Sequence, residues 1–394
     1  MPQPTPRSKP ASTAKEKLLT KPFMLCFAAC FAQALGFHMY LHFPGYLTEL
    51  GADAFTVGLI AGLASVAAIA SRPAMGRMMD VRGRRIVILT GGLLNILALS
   101  LHLTIEVMGP WVYVVRMFHG ITQAILFSAF FTYAADIIPE SRRTEGIGLF
   151  GISGMLPIGL GPTAGDWILH RGGYHDLFAV SVVLGVVSFL ISLPIRDRRV
   201  AVVGGPAPRS FFETIRDPAL LPLWFIGATF SIATSGTFIF MKTFVLETQL
   251  GTIGDFFFTY SMTAMMLRLF FGAVPDRFGP KRVFIPALGV LAIGLGVVTL
   301  ATDATGLMRA GILCGVGHGF GVPILNGLVI TRARDSEIGA AVAMSTALFD
   351  IGFLVGGPLF GAIIEIRGYP TMFVSSALIL LAGIGIYWAW DRGR

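Results

Sequence analysis

The sequence predicts an all-α membrane protein of twelve spanning helices, arranged as two pseudo-symmetric bundles of six. Three observations predict it. The 394 residues are 54% hydrophobic and 13% charged, with a mean hydropathy of +0.75, whereas soluble domains carry about 25% charge. Apolar stretches long enough to cross a ~30 Å hydrocarbon core, about 20 residues each, recur along the chain. One tract also returns after 196 positions: Arg72, Gly76, Asp80 and Gly83 reappear as Arg268, Gly272, Asp276 and Gly279. The same offset maps Thr56 and Gly58 onto Thr252 and Gly254, and Gly161-Pro162 with Gly165 onto Gly357-Pro358 with Gly361. The two halves read as copies of one unit.

In order, residues 1–21 form a Pro-, Ser- and Lys-rich tail, expected to be disordered. It lacks a small-residue cleavage site after a short apolar core, so no removable signal peptide is expected. Spans one to six are expected near 22–48, 55–79, 86–107, 110–137, 143–169 and 175–194, giving a first bundle over 22–197. The charged, Gly/Pro-containing tract that follows is a linker, set at 198–217. Within and just beyond it, "FFETIRDPALL" reads as a short amphipathic helix at the interface. Spans seven to twelve are expected near 219–247, 252–275, 282–301, 306–332, 338–364 and 370–391, giving a second bundle over 218–394. Membrane strands are excluded, because whole segments are apolar and do not alternate. Glycine is abundant, at 48 residues. That suits helices that associate in lipid by close backbone approach.

The net charge of +8 is spread over short loops, with 23 of the 30 Lys and Arg residues on one side of the predicted topology. That asymmetry places both termini in the cytoplasm of a plasma or bacterial inner membrane. It also argues against a nucleic-acid partner, which calls for a basic face. Cys26, Cys30 and Cys314 fall inside spans and read as buried small hydrophobes. No resident cofactor or metal motif is expected, and a monomer suffices for the fold.

The tract "GRMMDVRGRR" and the twelve-span layout resemble the major facilitator superfamily. The resemblance covers the chain beyond the tail and leans toward its drug:proton antiporter and sugar-efflux-permease-like branch. Gly76, Asp80, Gly83, Arg84 and Arg85 match the family's loop pattern, while Val81 stands where a basic residue is usual. In the second copy Asp276, Arg277 and Gly279 match and Pro280 departs. The resemblance implies that Asp80 caps span eleven near Ile338 and pairs with Arg84, with Asp136 as a third member of a cytoplasmic latch. A static turn and topology signal is the alternative.

Arg116 in "VVRMFHGITQA" resembles the family's second motif, with His119 where Gln is usual. The resemblance implies proton transfer or substrate coupling; an Arg that snorkels to the interface is the alternative. Span five resembles the glycine signature found mainly in drug–proton antiporters, matched at Gly148, Gly161, Pro162 and Gly165 and broken at Pro157 and Asp166. That resemblance implies export.

Asp350 lies in mid-span, where a carboxylate is costly and is a site candidate by default. It reads equally as a proton carrier or as a group bonded to neighbouring backbone. His38 and His42, four apart on span one, suit cavity lining, a proton relay, or metal chelation with His318. Gln33, Gln123, Thr234 and Asn326 complete the expected lining. Arg72 and Arg268 are expected to brace gates, and Lys242 to snorkel outward. No clustered nucleophile and base is present, so an enzyme is not expected. The reading is a secondary transporter of a small molecule, driven by protons in the export direction. A dedicated carrier of a metabolite or metal chelate, using the span-one histidines, is the alternative.

Overall fold

The computed structural model describes residues 17–197, 211–334 and 337–392, apart from a few side chains that include those of Asp80 and Ile338. All regular structure among them is helical. The expectations for tail residues 1–16 and for most of the linker lie outside the described residues; Phe211–Ile215 forms a short helix where one was expected.

Among the described residues, ten helices are long and apolar enough to cross a bilayer. Span one is Lys21–Glu49, passing through a 3-10 turn at Tyr40–His42. Spans two to six are Ala54–Arg82, Arg84–Leu101, Pro110–Ile137, Arg143–Arg171 and Tyr174–Ser192. Spans seven, nine and ten are Leu221–Thr248, Pro280–Val298 and Ala304–Arg332. The last helix, Ile338–Trp390, runs 53 residues but breaks at Gly368, where φ is 78°. It therefore supplies spans eleven and twelve. Span eight is Ile253–Phe271, less apolar because it carries Asp255 and Arg268. Counted with it by place in the chain, the described residues supply twelve long helical segments. Span eight stops earlier than the sequence suggested, and Val274–Phe278 forms a separate short helix before the turn.

Local chemistry sets the ends. Asp53 accepts the Thr56 N–H at 2.7 Å to start span two, and Thr252 with Asp255 forms a capping box on span eight. Gly83 and Gly279 stop the same two units at φ 91° and 94°, a region that costs an L-residue roughly 1–3 kcal/mol. The duplication read from sequence thus recurs as one backbone break made twice.

The halves meet through two antiparallel pairs, span two on span eleven and span five on span eight. Glycine permits both contacts. A Cβ at Gly58 would strike the Gly357 carbonyl, one at Gly361 would lie 2.8 Å from the Phe55 Cα, and one at Gly159 would strike the Ser261 hydroxyl. The Gly58 and Gly361 contacts lie at the start of span two and the Gly159 contact midway along span eight; the end at which spans two and eight start is termed here the cap face. Toward the opposite, turn face, which carries Gly83 and Gly279, a Cβ at Gly76, Gly148, Gly151 or Gly154 would meet nothing within 4 Å.

The cores divide the same way. One apolar cluster runs through both halves and includes Phe43, Phe178, Phe240, Phe244 and Phe257. The other, around Phe23, Met79, Val87, Phe130 and Phe150, belongs to the first half alone. The halves are joined at the cap face and parted at the turn face.

Candidate functional site

The deepest polar contact between the halves is an ion pair. Arg72 of span two donates Nη2 to Asp350 Oδ2 of span eleven at 2.5 Å and Nε to the same oxygen at 3.1 Å. Both side chains are about one-fifth exposed. Close packing around Gly62, Leu354 and Pro358, one to three turns toward the cap face, brings the two helices within reach. An isolated charge at membrane depth is expensive, so each partner makes the other tolerable.

A second polar group lies inside the first half. His119 is fully buried, with Nδ1 3.1 Å from Arg116 Nη1 and Nε2 2.8 Å from Gln123 Nε2. Gln123 donates to Asn95 at 3.0 Å and accepts from Gln33. Thr122 joins through Asn95 at 3.1 Å. The period of span four puts Arg116, His119 and Gln123 on one face, toward Gln33 of span one and Asn95 of span three. Arg116 also lies over the Phe43 ring at 5.3 Å.

The cap face is closed by two carboxylates that each cap a helix of the other half. Asp166, at the end of span five, accepts the Gly254 N–H of span eight at 2.7 Å. Glu365, at the end of span eleven, accepts the Phe55 N–H of span two at 2.8 Å. Helix starts leave N–H groups unpaired and carry partial positive charge, which favours carboxylates there. His42 donates from Nε2 to the Pro162 carbonyl at 2.9 Å and lies 3.8 Å from Asp166.

The remaining expected residues divide into those that meet and those that do not. Arg84 pairs with Asp136 at 2.9 Å, while Arg85 donates to Ile195 O at 2.6 Å and its backbone N–H to Asp197 at 2.8 Å. These contacts stay within the first half; the Asp80 side chain lies outside the described residues. Asp276 and Arg277 occupy the short helix before Gly279, and Arg277 lies over Phe278 at 5.6 Å.

Gly161 is pressed against His38, which donates from Nδ1 to Ala34 O at 2.7 Å. His318 meets the Tyr260 hydroxyl at 2.5 Å in the second half, apart from His38 and His42. No group of three or more His, Cys, Asp or Glu able to hold a metal occurs among the described residues. Asn326 accepts from Ser345 at 2.6 Å, and Thr234 returns its hydroxyl to Phe230 O at 2.9 Å.

The sequence reading missed three participants. Glu365 was not singled out. Asp166 was read only as a lost glycine. Lys242, expected to snorkel, is instead 8% exposed and close enough to Asp166 for their charges to interact.

Two duplicated halves, joined at one face through paired helices and open at the other, form a scaffold seen in known proteins. The family model described as Major Facilitator Superfamily matches residues 23–253 and again 223–394. The chain belongs to the major facilitator superfamily. As a superfamily member it is a transporter and an integral membrane protein.

It is 24% identical over 361 residues to the MFS-type transporter MJ1560 of Methanocaldococcus jannaschii, covering 88% of this chain and 92% of that one. It is 22% identical over 401 residues to the multidrug resistance protein MdtG of Escherichia fergusonii, covering 94% of each. The crystal structure of the nucleoside transporter NupG superposes with a TM-score of 0.74 at 13% identity, over 95% of this chain and 100% of that one. That likeness is one of fold.

Proposed function

We propose that the chain is a proton-coupled exporter of small amphiphilic molecules, working by alternating access in a bacterial inner membrane with both termini in the cytoplasm. The Arg72–Asp350 pair carries this reading. It joins the halves in the arrangement closed at the cap face. A proton on Asp350 would remove the charge that holds Arg72 and leave a guanidinium unpaired at membrane depth, at a cost of roughly 3–5 kcal/mol. That cost is relieved if the halves rock, so proton occupancy and gate position become linked.

In the export cycle the proton enters at the cap face, taken as the outer side, and leaves toward the cytoplasm. The pair then re-forms in the arrangement closed at the cap face, which this orientation makes inward-open. Cargo binds between the halves, as in other transporters built from repeats. The glycine and proline pattern of span five and the likeness to MdtG support the export direction. On the cytoplasmic side Arg84, Asp136 and Asp80 act as the latch that closes when the cap face opens. Inside the first half Arg116, His119, Gln123 and Gln33 keep span four rigid against spans one and three. The protein works as a monomer.

The experiment is export of a panel of fluorescent amphiphiles from proteoliposomes under an imposed pH gradient. Export should stop when a protonophore collapses the gradient and should be lost in Asp350→Asn. Export that survives both changes removes the proton coupling.

A further inference from the structure

Most cationic side chains along the interior of the spans have a partner. Arg72 holds Asp350, Lys242 lies within the influence of Asp166 and Glu49, and Arg116 leans on His119 and the Phe43 ring. Arg268 of span eight differs. Its Nε is buried with no hydrogen-bond partner, and among the described residues no carboxylate forms a salt bridge with it. It lies close instead to Tyr260 and His318, which bond each other at 2.5 Å.

The repeat explains what is missing. Arg268 is the copy of Arg72, and the offset that relates them carries Asp350 onto Gly154 of span five. Spans five and eight pair as spans eleven and two do. At Gly154 a Cβ would meet nothing within 4 Å. One half of the pseudo-symmetric pair therefore has its carboxylate, and the other has open space at the corresponding place. A guanidinium without a partner at this depth is costly, and its planar fork suits a carboxylate.

We propose that Arg268 anchors a carboxylate-bearing substrate, which supplies opposite span eight the negative charge that Asp350 supplies opposite span two. This rests on the reading of the space between the halves as the transport pathway, and it names the substrate as an organic anion with an apolar body. The open stretch along Gly148, Gly151 and Gly154 gives that body room beside span five. Such an ion, bound from the turn face, completes a symmetric set of charges.

The test measures melting temperature of the purified full chain in detergent. The probes are benzoate, 1-naphthoate and octanoate, each beside its amide and its amine analogue. At least one carboxylate should raise the melting temperature where its amide and amine do not, and Arg268→Gln should weaken that response by about tenfold or more. Gly154→Asp should raise the melting temperature without any probe and abolish the carboxylate response, while Gly154→Asn should not raise it.

The proposal is overturned if no carboxylate acts, if an amide or amine acts as strongly, or if Arg268→Gln leaves the response intact. It is also overturned if Gly154→Asp is no more stable than Gly154→Asn. The transport reading fails separately. Carboxylate binding at Arg268 by a chain whose two faces never alternate sinks that reading alone, and gradient-driven export confined to amines sinks only the anion.

Discussion

Asp166 of the first half and Gly254 of the second meet carboxylate to backbone N–H at 2.7 Å, and Glu365 with Phe55 makes the reciprocal contact at 2.8 Å. Each half thus places an acid on a helix start of the other. Glu365 maps by the repeat offset onto Leu169, not Asp166. The two acids sit a turn apart in the unit and serve the same end.

Removing both acids should loosen the cap face. Each cap contributes about 0.3–1 kcal/mol, more where half-buried. Asp166→Asn with Glu365→Gln should therefore raise the population open at the cap face by about tenfold. Spin-label distances across the starts of spans two and eight read this directly; an unchanged distance distribution refutes it.

Gly58→Ala should act in the same direction by steric means. The added methyl would strike the Gly357 carbonyl, and overpacking of this kind costs about 1–3 kcal/mol. The expected outcome is normal insertion, slower transport and greater labelling of cap-face cysteines. Gly385→Ala, which meets open space on span twelve, is the control and should change neither.

His119→Leu should destabilise the first half by roughly 1–3 kcal/mol, since Gln123 and Arg116 each lose a buried partner. Thermal unfolding in detergent checks it. Placing an amide at this position instead, His119→Gln, should cost less than His119→Leu.

Asp391 provides a pH test outside the spans. It joins Arg332 at 2.6 Å and Lys281 at 2.9 Å. Burial alone would raise its carboxyl, but the hydrogen bonds from Arg332 and Lys281 outweigh that and hold it below the usual carboxylate range. A depressed carboxyl contributes stability that is complete above its unfolded pKa, ~3.9, and is lost as pH falls through the folded value. Asp391→Asn should lower stability by roughly 2 kcal/mol near neutrality. The gap to the natural chain should narrow only below about pH 4.

The sequence made the architecture readable because apolar length and duplication are local or periodic signals. The 196-residue offset placed Gly83 and Gly279 at the same turn, and both adopt the same positive φ. Partnerships across the halves carry no such signal. Arg72 and Asp350 were each singled out, yet nothing in the spacing joins positions 278 apart. Asp166 looked like a broken glycine pattern because its partner is a backbone N–H, which leaves no side-chain trace. Lys242 was expected at the lipid surface, but span seven is the most enclosed of the crossing helices, so the residue has no lipid to reach.

The bare backbone where Gly58 faces Gly357 has a mechanical consequence. It sits close to one extremity of span two, leaving 24 residues, about 36 Å of helix, between it and Arg82. If it serves as a fulcrum, a tilt of about ten degrees swings the long arm by roughly 6 Å. A few ångströms of slack in a methyl-free joint are then enough to widen or shut the far mouth.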